Sequence, residues 1–198
     1  MRILAIAALL SLSIAALPKL SAQPPLLATP RKAPDFTLVE PSGKKTALST
    51  YRGKVVVLAF VSTICPHCQH ECELLSKLSG EMKAKGVPVQ MLASAFNDNA
   101  AALVPGFIRD FKVTFPVGYT DPNTVFAFQQ FSVMDRPSVP QLAVIDKNGM
   151  IRAQTPLLGD PNLQDENYLR GLIAKLAGEG ISATPIKKSP TKAGSSLR

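Results

Sequence analysis

Residues Val55-Val56-Val57-Leu58-Ala59-Phe60-Val61 run directly into Ser62-Thr63-Ile64-Cys65-Pro66-His67-Cys68, and the reading of this join decides the fold. Seven apolar residues in a row, many of them β-branched, read as a central strand covered on both faces. Pro66 suits the first position of a helix, where its missing N–H would be unpaired anyway. The pattern predicts that helix from Pro66 to Lys85, weakened by Gly80 and stopped by Gly86. Val87 to Ala95 is mostly apolar again and reads as a second strand. Strand, helix and strand at this spacing form a βαβ unit, so the two strands are expected to be parallel with a right-handed crossover.

Working outward, Phe36 to Val39 reads as a short strand, followed by a turn at Pro41-Ser42-Gly43-Lys44. Residues 45–53 lead back into the fold, with Leu48 and Tyr51 expected to be buried. Downstream, Asp98 to Phe111 reads as helix capped by Asn97 or Asp98, with Pro105-Gly106 expected to break or restart it. Phe115 to Val117 reads as a strand and Thr124 to Phe131 as a short helix. Gln141 to Ile145 and Met150 to Gln154 read as strands joined at Lys147-Asn148-Gly149, where Asn-Gly tolerates positive φ at both central positions. Asp165 to Ala177 closes the domain as a helix, with Leu169, Leu172, Ile173 and Leu176 on one face and Gly178 as the stop.

The ends differ in kind. Arg2 followed by the uncharged run Ile3 to Leu17, with Leu20-Ser21-Ala22 as a cleavage site, reads as an export signal over residues 1–22. The run is short for a membrane span, which needs roughly 20 apolar residues, so an uncleaved anchor is the lesser alternative. The protein is expected to be exported, periplasmic or extracellular. Residues 23–34 carry Pro24, Pro25, Pro30 and Pro34 and read as an extended linker. Residues 181–198 are rich in Ser, Pro, Thr and Gly and carry Lys187, Lys188, Lys192 and Arg198, which reads as a disordered basic tail. Much of the formal charge of +8 therefore belongs to the ends, since Arg2 and Lys19 lie in the leader. No basic stripe interleaved with aromatics remains to suggest nucleic-acid binding, and membrane attraction is weak at most.

All three cysteines lie between positions 65 and 72. An odd, clustered set is not a disulfide scaffold, and in an exported chain it points to redox chemistry or metal binding. Cys65 falls at the helix N-cap, where its sulfur is expected to accept hydrogen bonds from the His67 and Cys68 amides. Thiols so placed have pKa values of about 3.5–7.5 against about 8.5 for a free one, which makes Cys65 the expected nucleophile. Cys68 is one turn deeper, roughly 5–6 Å away at Cβ, and suits the resolving thiol. His67 either tunes the thiolate or is a solvated loop residue. Glu71, three residues after Cys68, is either a carboxylate that takes the buried proton or an exposed helix-surface residue. Cys72 shares a face with Cys68, Leu75 and Leu78 and reads as a buried apolar thiol. Val139-Pro140 precedes a strand, where a proline is ordinary.

The motif order is then Ala33-Pro34-Asp35-Phe36, Tyr51-Arg52-Gly53-Lys54-Val55-Val56-Val57, Cys65-Pro66-His67-Cys68, Val139-Pro140 and Val144-Ile145-Asp146-Lys147-Asn148-Gly149-Met150-Ile151. This order resembles the exported thioredoxin-like proteins of the TlpA and ResA type, in the wider redoxin group, over roughly residues 32–178. The resemblance implies an α/β thioredoxin fold over residues 35–180: a central mixed sheet flanked by helices, with an N-terminal strand or hairpin extension. It implies that Pro140 is a cis-proline facing the two cysteines, that the Val139 backbone pairs with an extended substrate, and that Glu71 is the acidic residue some members carry near the second Cys. The family often has Trp before the first Cys, where this chain has Phe60-Val61-Ser62-Thr63-Ile64, and the Pro66-His67 pair looks like that of DsbA-type oxidants. Both directions of electron flow therefore stay open.

The expected activity is thiol–disulfide exchange with exported proteins through Cys65 and Cys68, served by a redox-recycling partner, with no cofactor and no metal. Two alternatives compete. A peroxiredoxin-like peroxidase with antioxidant activity would carry Pro-x-x-x-Thr-x-x-Cys; here Leu58, Ser62 and Cys65 occupy those positions, so the Pro is missing. A copper or zinc carrier would use Cys65, His67, Cys68, His70 and Cys72, but ligands on one rigid helix point in different directions.

Overall fold

A computed structural model describes Leu27 and residues 29–179. The expected leader (1–22), residues 23–26 and 28 of the expected linker, and the expected tail (181–198) lie outside the described residues. The strands are β1 (Arg31–Lys32), β2 (Thr37–Val39), β3 (Lys45–Ala47), β4 (Val55–Val61), β5 (Val89–Ala95), β6 (Val117–Tyr119), β7 (Gln141–Ile145) and β8 (Met150–Gln154); the helices are α1 (Pro66–Ala84), α2 (Ala100–Asp110), α3 (Pro122–Gln129) and α4 (Glu166–Gly178). They form one eight-stranded sheet in the order β1-β8-β7-β4-β5-β6-β2-β3. β4 pairs in parallel with β5 and antiparallel with β7, so the sheet is mixed, and the architecture is a thioredoxin fold.

The uninterrupted run in β4 is explained by its two faces. Successive strand residues point to opposite sides. Val55, Val57, Ala59 and Val61 enter a core shared with α1, α2 and α4, through residues such as Leu75, Val104 and Leu172. Val56, Leu58 and Phe60 enter a second core beneath α3 and the N-terminal hairpin. There Phe36, Phe60 and Phe128 meet edge-to-face with ring centroids 5.3–5.8 Å apart. Every residue of β4 is buried, so neither face of the strand could carry a polar residue cheaply.

Several boundaries differ from the sequence reading. Arg31 and Lys32, read as linker, form β1 against Ile151 and Met150 of β8. The Arg31 side chain explains the attachment, because it reaches the Phe128 carbonyl and Gln154 inside the domain. Tyr51 is only half-buried, in a short 3₁₀ turn over Leu48–Tyr51. α2 runs through Pro105 without a break. The carbonyl that loses its donor there belongs to Ala101, which is exposed, so water can serve it. The cap of α2 is Asn99, with φ 58°, because Asn97 is engaged elsewhere. α3 begins two residues early, since Asp121 caps it and Pro122 opens it. In the β7–β8 turn only Gly149 has positive φ (78°), and the Asp146 carboxylate accepts from the Asn148 and Met150 amides. Among the described residues, no helix is long and apolar enough to cross a membrane.

Candidate active site

The C-terminal end of β4 delivers Cys65 to the mouth of α1, the edge of an open α/β sheet where sites form. Cys65 is the N-cap residue, extended at φ −90° and ψ 120°, and Pro66 opens the helix behind it. The Cys65 carbonyl accepts the Gln69 amide at 3.0 Å, which is the first turn of the helix. Its sulfur departs from expectation. It does not take the capping role toward the His67 and Cys68 amides. A thiol is a donor, and Sγ turns instead toward the Val139 carbonyl oxygen, 4.0 Å away.

The Val139-Pro140 peptide bond is cis. Val139 packs against the core that contains Cys68, beside half-buried Cys65. A cysteine and a valine 74 residues apart, with the proline that follows, therefore share one edge of the sheet.

Cys68 is fully buried, one turn below Cys65. The amide donated to a sulfur in this turn goes here: Ser62 N–H points at the Cys68 Sγ across 3.3 Å. Burial pushes the Cys68 thiol up strongly, and the Ser62 amide offsets part of that by favouring the anion. All three cysteines are free thiols. Cys72 is also fully buried, among Leu75, Leu78 and the strand valines, and burial raises its thiol, with the Glu71 charge adding to the effect.

Glu71 is 1% exposed, and its Oε1 has no hydrogen-bond partner among the described residues. Burial pushes its carboxyl up to about 8. The surface-residue alternative for Glu71 is therefore excluded. Pro66 and His67 are exposed at the helix mouth, and His70 is exposed a turn later. Among the described residues, no three His, Cys, Asp or Glu side chains gather as a metal site.

The turn between β4 and α1 is held by residues that no sequence motif singles out. Asn97, just past β5, accepts the Thr63 amide on Oδ1 at 2.9 Å and donates from Nδ2 to Thr63 Oγ1 at 3.1 Å. Gln69 Nε2 donates to the Thr63 carbonyl at 3.1 Å. Every polar group of buried Thr63 is thus occupied. Ser62 on one side and Cys65 on the other are fixed through it. Both partners of Thr63 are ordinary polar residues, Gln69 six positions from it and Asn97 34 positions away.

Comparison with known proteins finds relatives of the same family and fold. The AhpC/TSA family matches residues 30–154. A thiol-disulfide oxidoreductase ResA from Bacillus cereus is 27% identical over 146 residues, covering 74% of this chain and 77% of that protein. ResA of Geobacillus kaustophilus is 32% identical over 120 residues, 61% of this chain and 64% of that one. The crystal structure of a thiol:disulfide interchange protein of the thioredoxin family from Chlorobium tepidum superposes with a TM-score of 0.62, covering 76% of this chain and 99% of the other at 20% identity, which speaks for the fold alone.

Proposed function

Because the chain belongs to the AhpC/TSA family and is a redoxin of the TlpA and ResA type, we propose that it exchanges disulfides with exported proteins through Cys65 and Cys68. The protein is an oxidoreductase; the observation that supports this particular chemistry is one half-exposed thiol at a helix mouth with a buried thiol one turn below.

In the reductive direction, the Cys65 thiolate attacks one sulfur of a substrate disulfide. A Cys65–substrate bond forms, the substrate S–S bond breaks, and one substrate thiolate leaves. Cys68 then attacks Cys65 Sγ, the mixed disulfide breaks, and the second substrate thiolate leaves. Two electrons pass to the substrate and the pair ends as a disulfide. Oxidation is the same path reversed. Cys68 must lose a proton that its burial holds tightly. The Ser62 amide favours the resulting anion, and Glu71, one helical turn on and able to hold or release a proton near neutral pH, is the acid–base group for that step. Val139 offers its backbone to the substrate chain beside Cys65, and Pro66 and His67 shape the exposed mouth.

Export rests on the leader read in residues 1–22. A recycling partner is needed because each turnover leaves the pair in the wrong oxidation state. The peroxidase reading is weaker on structural grounds. Leu58 is buried in the strand where that pattern wants Pro, and the amide of Ser62 serves Cys68 rather than Cys65.

The test is the reduction potential of the Cys65–Cys68 couple, with insulin or a peptide disulfide as substrate. A value near about −270 mV marks a reductant and one near about −120 mV an oxidant. A Cys65→Ser chain that exchanged disulfides at the wild-type rate, or peroxide turnover faster than disulfide exchange, overturns the reading.

A further inference from the structure

Gln141, the first residue of β7, is fully buried, yet its amide serves backbone carbonyls outside the sheet. Nε2 donates to the Ser138 carbonyl at 2.7 Å and to the Pro156 carbonyl at 3.3 Å. Oε1 accepts from Gln129 Nε2 at 3.4 Å. The chain continues behind Gln129. Gln154 Nε2 donates to the Gln129 carbonyl at 2.6 Å, and Arg31 Nη2 donates to Gln154 Oε1 at 2.6 Å.

A buried primary amide is costly unless its hydrogen bonds are made. At this position the amide has work that an apolar side chain could not do. Pro140 has no N–H, so the segment entering β7 cannot close a backbone ladder there. The Ser138 and Pro156 carbonyls are taken by Gln141 instead, and the Ser138 amide reaches the Leu157 carbonyl at 2.9 Å. One side chain thereby joins the segment before β7 to the segment after β8. Val139, between Ser138 and Pro140, is the residue whose carbonyl faces Cys65.

We propose that Gln141 is a positioning residue for polypeptide substrates: it fixes the Ser138–Val139 backbone so that an extended chain can pair with it beside Cys65. This rests on the exchange function proposed above and adds the element that separates long substrates from small ones. A small disulfide needs only the sulfur. An extended peptide also needs a backbone edge of fixed geometry.

The full chain is tested as Gln141→Met and Gln154→Met against two substrates: a disulfide-bonded extended peptide and the small aromatic disulfide 5,5′-dithiobis(2-nitrobenzoate). Gln141→Met removes both donated hydrogen bonds at similar length. Gln154→Met breaks the relay at its half-buried end and keeps the proposal testable where the first variant does not fold. For Gln141→Met, KM for the peptide is expected to rise about ten-fold with kcat within about two-fold, and the small disulfide to react at the wild-type rate. Gln154→Met is expected to move the same KM by about three-fold. Equal losses on both substrates, or an unchanged peptide KM, overturn the role of Gln141 alone. A wild-type chain that turns over neither substrate overturns the exchange reading and this proposal together.

Discussion

The Ser62 amide donates to the Sγ of Cys68 across 3.3 Å, tying the residue that follows the central strand to the second thiol of the pair. The first thiol faces the other way, toward the Val139 carbonyl oxygen. Two sulfurs three residues apart therefore sit in different surroundings: one half-exposed beside the Val139 carbonyl, one sealed in the core and met by an amide.

That difference predicts their reactivity. Iodoacetamide should modify Cys65 in the folded, reduced protein, while Cys68 and Cys72 stay protected until it unfolds. Cys65→Ser should abolish exchange. Cys68→Ser should still attack substrate but stall, leaving a mixed disulfide at Cys65 that a non-reducing gel and peptide mapping would locate. Labelling of Cys68 ahead of Cys65 would reverse the assignment.

Glu71 predicts a pH dependence of stability. Its folded carboxyl is pushed up to about 8 by burial, against an ordinary 4.5. Below about pH 4.5 the group is neutral in both states and its burial carries no ionisation cost. Between there and pH 8 the unfolded chain gives up the proton and the folded chain keeps it. Stability should therefore fall as pH rises, by up to about 1.4 kcal/mol per unit. Glu71→Gln should flatten this trend, so that urea midpoints of the two proteins diverge from pH 5 to pH 8. Parallel curves would show that the carboxyl ionises freely. The comparison belongs below pH 8, because the buried thiols of Cys68 and Cys72 are also raised and add the same sign of dependence at higher pH.

Asn97 is predicted to matter through Thr63. Asn97→Ala leaves a buried amide and hydroxyl without their partner, at a cost of about 1–3 kcal/mol. It also frees the turn that aims the Ser62 amide at Cys68. Losing that contact destabilises the reduced pair relative to the disulfide. The potential should become more negative, by about 10–30 mV, the equivalent of roughly one hydrogen bond. Asn97→Asp keeps an oxygen for the Thr63 amide and should recover most of the stability. A glutathione titration with thermal melts separates the two effects; an Asn97→Ala chain that loses stability at an unchanged potential would reduce Asn97 to a structural clamp.

The part of the site that is legible in the sequence is local. The run Val55–Val61, the Pro66 start and the Cys-x-x-Cys spacing all act within one turn or one strand, so their chemistry is visible in neighbouring letters. The contacts that hold the site are not local. Asn97 meets Thr63 across 34 residues and Gln141 meets Gln129 across 12, and nothing in an isolated Asn or Gln announces a partner. Three misreadings have the same origin. Pro105 reads as a helix breaker because its own residue type says so, yet the solvent around Ala101 removes the penalty. Arg31 reads as linker because the prolines around it say so, yet its guanidinium finds the Phe128 carbonyl 97 residues away. The sulfur of Cys65 reads as the cap of its own helix, a local role, and a distant carbonyl competes for it instead.

Cys72 separates redox chemistry from packing within the same helix. It lies four residues beyond Cys68 on the buried face, with no exposure. A bond between the two would join Cβ vectors that run parallel along the helix, which disulfide geometry disfavours. Its place is therefore that of a small apolar side chain. Cys72→Ala should retain the wild-type exchange rate and potential, at a stability cost of about 1 kcal/mol from the small cavity. Cys72→Ser should be worse, although it is closer in shape, because it buries a hydroxyl among aliphatic groups; an extra cost of about 1–3 kcal/mol is expected if the Cys68-side core offers it no partner. The order Ala above Ser in thermal melts, with both active, fits a packing role. A fall in exchange rate for Cys72→Ala, at a temperature where the variant is fully folded, would show that the third thiol takes part in the electron transfer.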